Sequence, residues 1–121
     1  MKNIDKNAAP SSEEIEIFLK QVDFILPDGF ISFFKETNGA DISTDENYIL
    51  LWALTDMMDM NKDYKVQDYA PEFFIFGSDG GNTALAIEKI TGDIYEMPFI
   101  GMSNDAAIFK NNSFKEFIED I

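Results

Sequence analysis

Residues 73–87 read Phe-Phe-Ile-Phe-Gly-Ser-Asp-Gly-Gly-Asn-Thr-Ala-Leu-Ala-Ile. Phe73 to Phe76 is short, apolar and aromatic, the composition of a buried strand, and Thr83 to Ile87 has the same character. Between them, Gly77-Ser78-Asp79-Gly80-Gly81 places three glycines in five residues, so the backbone there takes positive φ or approaches another segment closely. Two strands joined in this way predict a hairpin-like unit. Downstream, Thr91-Gly92-Asp93 predicts another turn, and Ile94 to Met97 a third strand that Pro98 ends. Ile100 to Ile108 reads either as a fourth strand or as irregular chain.

The flanks have a different period. Ser11 with Glu14 forms a capping box, and Ile15, Phe18, Leu19 and Val22 follow at i, i+3, i+4 and i+7, predicting an amphipathic helix. Pro27 suits the first turn of a second helix that places Phe30, Phe33, Phe34 and Thr37 on one face and stops at Asn38-Gly39. The run Tyr48-Ile49-Leu50-Leu51-Trp52-Ala53 predicts a buried strand, and Thr55 the cap of a short helix carrying Met57, Met58 and Met60. Asp68 to Glu72 reads as a connector. At the far end Ser113 caps a helix with Phe114, Phe117, Ile118 and Ile121 on its apolar face. Residues 1–10 are polar and read as a flexible leader, leaving 11–121 as one domain. Helices, then a meander of strands, then a closing helix make an α+β architecture.

Composition narrows the chemistry. In 121 residues there are 23 acidic side chains against nine cations, all lysine, for a net charge of −14, and there is no His, Cys or Arg. Nucleophile pairs built on His, thiolate or imidazole metal sites and disulfides are excluded, as are bidentate guanidinium clamps on phosphate. The charge sign argues against a nucleic-acid backbone as ligand and favours a basic partner. The longest apolar run, Tyr48 to Leu54, is too short to span a membrane, and Met1 to Ser12 holds no export signal, so the expected location is cytoplasmic.

Three clusters are candidates for function. The glycine-rich turn presents Asp79 and Asn82, but it matches neither G-x-G-x-x-G nor the P-loop, and turn chemistry alone accounts for it. Asp56, Asp59 and Asp63 share a helix face and, with Asp45 and Glu46, form either a hard-cation site or a solvated acidic surface; the spacing is not that of an EF-hand. Trp52, Tyr64, Tyr69 and Tyr95 either anchor an interface or pack internally. Paired carboxylates such as Asp79 with Glu88 or Asp93 could serve as acid and base, but no spacing singles out a pair. No catalytic residue, metal or cofactor is therefore assigned.

Leu26-Pro27 before an aromatic helix ending Thr37-Asn38-Gly39-Ala40, then Trp52-Ala53-Leu54, Pro71-Glu72-Phe73, the 77–82 turn and Thr91-Gly92-Asp93-Ile94-Tyr95 come in an order that resembles the SMI1/KNR4 family of the SUKH superfamily, from about residue 12 to 121. The resemblance implies a twisted, mainly antiparallel sheet packed against N-terminal and C-terminal helices. It also implies a bacterial immunity protein that binds and blocks a toxin made beside it, often a nuclease, or alternatively a non-catalytic regulatory adaptor of the eukaryotic kind. A carboxylate or hard-metal enzyme is the third reading. In the first, Asp56, Asp59, Asp63, Tyr64, Asp79 and Asn82 are the expected partner contacts, and Gly77, Gly80, Gly81 and Gly92 shape the turns.

Overall fold

The capping box predicted from Ser11 and Glu14 is formed: Glu14 N–H donates to Ser11 Oγ at 3.1 Å, and Glu14 Oε1 accepts from Ser11 N–H at 2.8 Å. In the computed structural model, which describes residues 3–121, this box opens helix α1 (Ser12–Gln21). The second helix, α2 (Phe30–Glu36), starts at Phe30 and not at Pro27. Pro27 instead closes a turn, its carbonyl accepting from Phe30 N–H at 3.1 Å.

Seven antiparallel strands follow one another in sheet order as in sequence: β1 (Asn3–Lys6), β2 (Ala40–Ser43), β3 (Tyr48–Leu51), β4 (Phe73–Ser78), β5 (Thr83–Glu88), β6 (Ile94–Pro98) and β7 (Ile108–Asn111). Helices α3 (Leu54–Asp63) and α4 (Val66–Tyr69) stand between β3 and β4, and α5 (Phe114–Asp120) closes the chain. The result is the α+β domain that the sequence predicts.

Several expectations need correction. Asn3–Lys6, expected within a flexible leader, pairs with β2 from Asn3↔Ser43 to Lys6↔Ala40. Its side chains are all exposed, so it is held by the ladder and not by burial. The strand is extended by bonds to the residues just beyond α2, with Asn7 N–H on Gly39 C=O and Asn38 N–H on Ala8 C=O. Part of the segment expected as a connector belongs to α4, and the ambiguous stretch after Ile100 ends in β7.

Gly77 lies inside β4, not in the turn. It faces β3 so closely that a Cβ would come within 2.5 Å of the Leu50 carbonyl oxygen, which only glycine permits.

The core forms where β4, buried along its whole length, meets three helices. Phe74 packs on Phe18 of α1 and on Phe24, while Phe76 packs on Phe30 of α2 and on Phe114 and Phe117 of α5. Within α2 the Phe30 and Phe34 centroids are 4.7 Å apart. Ser113 caps α5 as predicted, accepting from Glu116 N–H at 3.2 Å.

Candidate functional site

Helix α3 is set against the sheet by a transfer of hydrogen bonds along β4. Strand β3 pairs with β4 only through Leu50↔Ser78 and Leu51↔Gly77. Trp52 N–H then donates to Phe76 C=O at 3.1 Å. Beyond that point β3 has left the sheet, and Asn61 of α3 takes its place. The Asn61 amide accepts from Ile75 N–H and donates to Ile75 C=O, both at 2.8 Å, and also donates to Met57 C=O at 2.8 Å. A side chain thus satisfies the backbone groups that a strand edge would leave open.

The start of α3 is fixed equally locally. Thr55, expected as its cap, is already inside the helix, and Asn38, two residues beyond α2, caps it instead, Oδ1 accepting from Leu54 N–H at 2.6 Å. These two asparagines settle which side of α3 faces outward. Asp56, Asp59 and Asp63, at i, i+3 and i+7, share that side and are exposed.

Between this acidic row and β3 runs a groove of about 450 Å³. Leu50, Leu51, Trp52, Ala53 and Met60 make its apolar floor, Asn7 lies at one margin, and Asp56, Asp59 and Asp63 form the other. Among the described residues, no lysine lies within ion-pair distance of these three carboxylates; the pairs formed are Lys89 with Asp23 and Lys110 with Glu96. Asp59 also borders a cavity of about 460 Å³ on the other flank of α3. There Lys89 lies 3.3 Å from Asp23 and 5.8 Å from the centre of the Phe24 ring, and Lys62 lines the same cavity.

An aromatic row starts from Trp52 of the groove floor. Trp52 stacks on Phe99 at 6.3 Å, and the Tyr64 ring lies tilted against Phe99 at 4.6 Å. Phe99 is positioned by Asn82, whose carbonyl accepts its N–H at 2.9 Å. The next residue, Ile100, is 90 % exposed.

The glycine-rich turn reduces to Asp79-Gly80-Gly81-Asn82. Asp79 Oδ1 accepts from Gly81 N–H at 2.8 Å and Thr83 N–H at 3.2 Å, so its carboxylate closes the turn. Gly80 has φ +82, and a Cβ there would meet the Tyr48 ring at 2.5 Å. The Tyr48 hydroxyl is held above the ordinary tyrosine pKa, first by desolvation, then by the Asp41 carboxylate, and by Asp5.

The expected contact residues thus fall into two groups. Asp56, Asp59, Asp63 and Tyr64 come together on α3 and its C-terminal cap, and Asn82 joins them through Phe99. Asp79 is engaged within its own turn, and neither Asp79 nor Asn82 lines the groove. Asp45 and Glu46 lie on the loop between β2 and β3, and among the described residues no three carboxylates are arranged to hold a metal ion. Sequence reasoning missed Asn38, Asn61 and Phe99, each of which acts through a partner distant in sequence. Among the described residues no helix is long and apolar enough to cross a membrane.

A family model described as SMI1 / KNR4 family (SUKH-1) matches residues 9–120. No curated protein matches the chain.

Proposed function

Since the chain belongs to the SMI1/KNR4 family (SUKH-1), we propose that it is an immunity protein, which binds a basic toxin encoded beside it and blocks that toxin stoichiometrically in the cytoplasm. The observation that carries this reading is the row of carboxylates on α3, with which no lysine among the described residues pairs, next to the Trp52–Phe99–Tyr64 aromatic row. Interfaces draw most of their energy from a few aromatic anchors, and charge at their margin sets the rate of encounter. A toxin that cleaves nucleic acid has a basic active-site groove, and a protein of net charge −14 is steered toward it. Asp56, Asp59, Asp63, Tyr64 and Asn82 are the proposed contacts, with Asp79 shaping the turn beside them. The role needs no catalytic residue and no cofactor.

The test is to express the protein with the product of the adjacent gene. Copurification in a fixed ratio, with suppression of the neighbour's toxicity, is the expected result. A harmless neighbour that does not copurify ends the immunity reading and leaves a regulatory adaptor as the role to pursue.

A further inference from the structure

We propose that the groove between β3 and α3 receives an arginine side chain presented by the basic partner, an inference that rests on the partner-binding role above. The chemistry of the groove is divided along its width. Its floor, Leu50, Trp52 and Met60, is apolar, and its outer margin is the carboxylate row of Asp56, Asp59 and Asp63. Such a surface fits a side chain with an apolar stem and a cationic head, since the stem is buried while the head stays at the wet margin.

The three carboxylates lie on one helix face over about 10 Å of axis, so a planar guanidinium reaching any neighbouring pair can bond to both. Arginine is favoured over lysine for two reasons. Its planar head bonds to two carboxylates at once where the ammonium acts as a point charge, and it is more weakly hydrated, so it loses less on pairing at the margin. The chain contains no arginine, and no lysine among the described residues pairs with the row.

Trp52 is the one tryptophan of the chain, so its fluorescence reports on the groove floor directly. The test is to titrate the full chain with N-acetyl-arginine amide at millimolar concentrations, with the lysine and the uncharged citrulline amides in parallel. Fluorescence of Trp52 and backbone amide shifts are followed together. The expected result is a saturable response to arginine at Trp52 and across 56–63, a weaker response to lysine, and none to citrulline. The double substitution Asp59→Asn/Asp63→Asn weakens arginine binding about tenfold. Glu16→Gln/Glu119→Gln, which removes the same charge from exposed sites elsewhere, changes it less than twofold. Equal loss in both doubles, an equal response to citrulline or to lysine, or shifts centred away from the groove overturns the assignment. If the amide fails to bind but copurification with the neighbour survives Asp59→Asn/Asp63→Asn, the groove is not the arginine site and the partner-binding role stands. If the unsubstituted protein does not copurify, that role fails whatever the amide does.

Discussion

Phe30, Phe34, Phe76 and Phe114 are wholly buried and touch one another edge-on or tilted, whereas Trp52, Phe99 and Tyr64 form a row whose outer member is 39 % exposed beside three carboxylates with which no described lysine pairs. Both clusters are aromatic and both lean on β4, the first through Phe76 and the second through the Trp52–Phe76 backbone bond. They differ in what surrounds them. The first is enclosed by α1, α2 and α5, so its contribution is burial and packing, which do not respond to salt. The second leaves ring edges and negative charge facing water, an arrangement that adds little to folding and much to recognition. The two regions therefore separate stability from binding, and substitutions in each should move one quantity and spare the other.

The hardest test of that separation is Phe34→Ala. Phe34 is fully buried, with Phe30 at 4.7 Å and Phe33 at 5.0 Å, so truncation leaves a cavity between α2 and α5. The expected loss is about 3–5 kcal/mol, a large part of the total stability of a domain this size. Urea unfolding measures it, and a loss below about 1 kcal/mol would mean that the cluster is not the seat of stability.

Next in size is Asn61→Leu, which keeps the volume and removes the three bonds to Ile75 and Met57. Leaving those backbone groups unpaired costs about 1–3 kcal/mol. Because α3 carries the acidic row, this is the one substitution expected to reach both regions, lowering the unfolding midpoint and weakening partner binding together. Hydrogen exchange at the Ile75 amide should speed up in the same variant. If that amide stays as protected as before, Asn61 is not the group that replaces β3.

How much of this could be read from one dimension depends on the range of the interaction. Helices α1 and α5 were legible because their signals are local: a serine cap, and an apolar residue every third or fourth position. Strand β2 was not, because only Ala40 and Ile42 are buried while Asp41 faces solvent, too short an alternation to stand out. Strand β1 buries nothing and exists only through its pairing with β2, so its own residues carry no strand signal. The site divides in the same way. Asp56, Asp59 and Asp63 were legible as one helix face. That Trp52 and Phe99 stand beside them follows from the Asn82–Phe99 bond and from the bonds that Asn38 and Asn61 make, and all of these are long-range contacts of residue types that usually sit at surfaces.

The acidic row supplies the complementary prediction. Converting Asp56, Asp59 and Asp63 to Asn removes like charges from one helix face, so stability should hold within about 0.5 kcal/mol or rise slightly. Association with the basic partner should slow at low ionic strength, and the dependence of the rate on salt should flatten. A stopped-flow series across salt concentrations decides it. A rate indifferent to both the substitutions and the salt would remove electrostatic steering from the account while leaving the aromatic row in place.

The smallest effect expected lies at Tyr48, beside the glycine turn and outside both regions. Desolvation and the neighbouring Asp41 and Asp5 raise its pKa in the folded state, so the folded protein holds the phenolic proton more tightly than the unfolded chain does. The stabilisation is therefore fully present below the ordinary tyrosine pKa of about 10, and it is lost as pH rises through the folded value. Tyr95 shifts the same way through desolvation and through Glu88 and Asp93, so it adds to the same alkaline loss. Tyr48→Phe removes only the first contribution. Urea midpoints measured from pH 8 to 11 should fall less steeply in the variant than in the parent, with the curves parallel below about pH 9. The ring is retained, and with it the contact over Gly80, so any separation of the curves at neutral pH would assign Tyr48 a packing role instead of a titrating one.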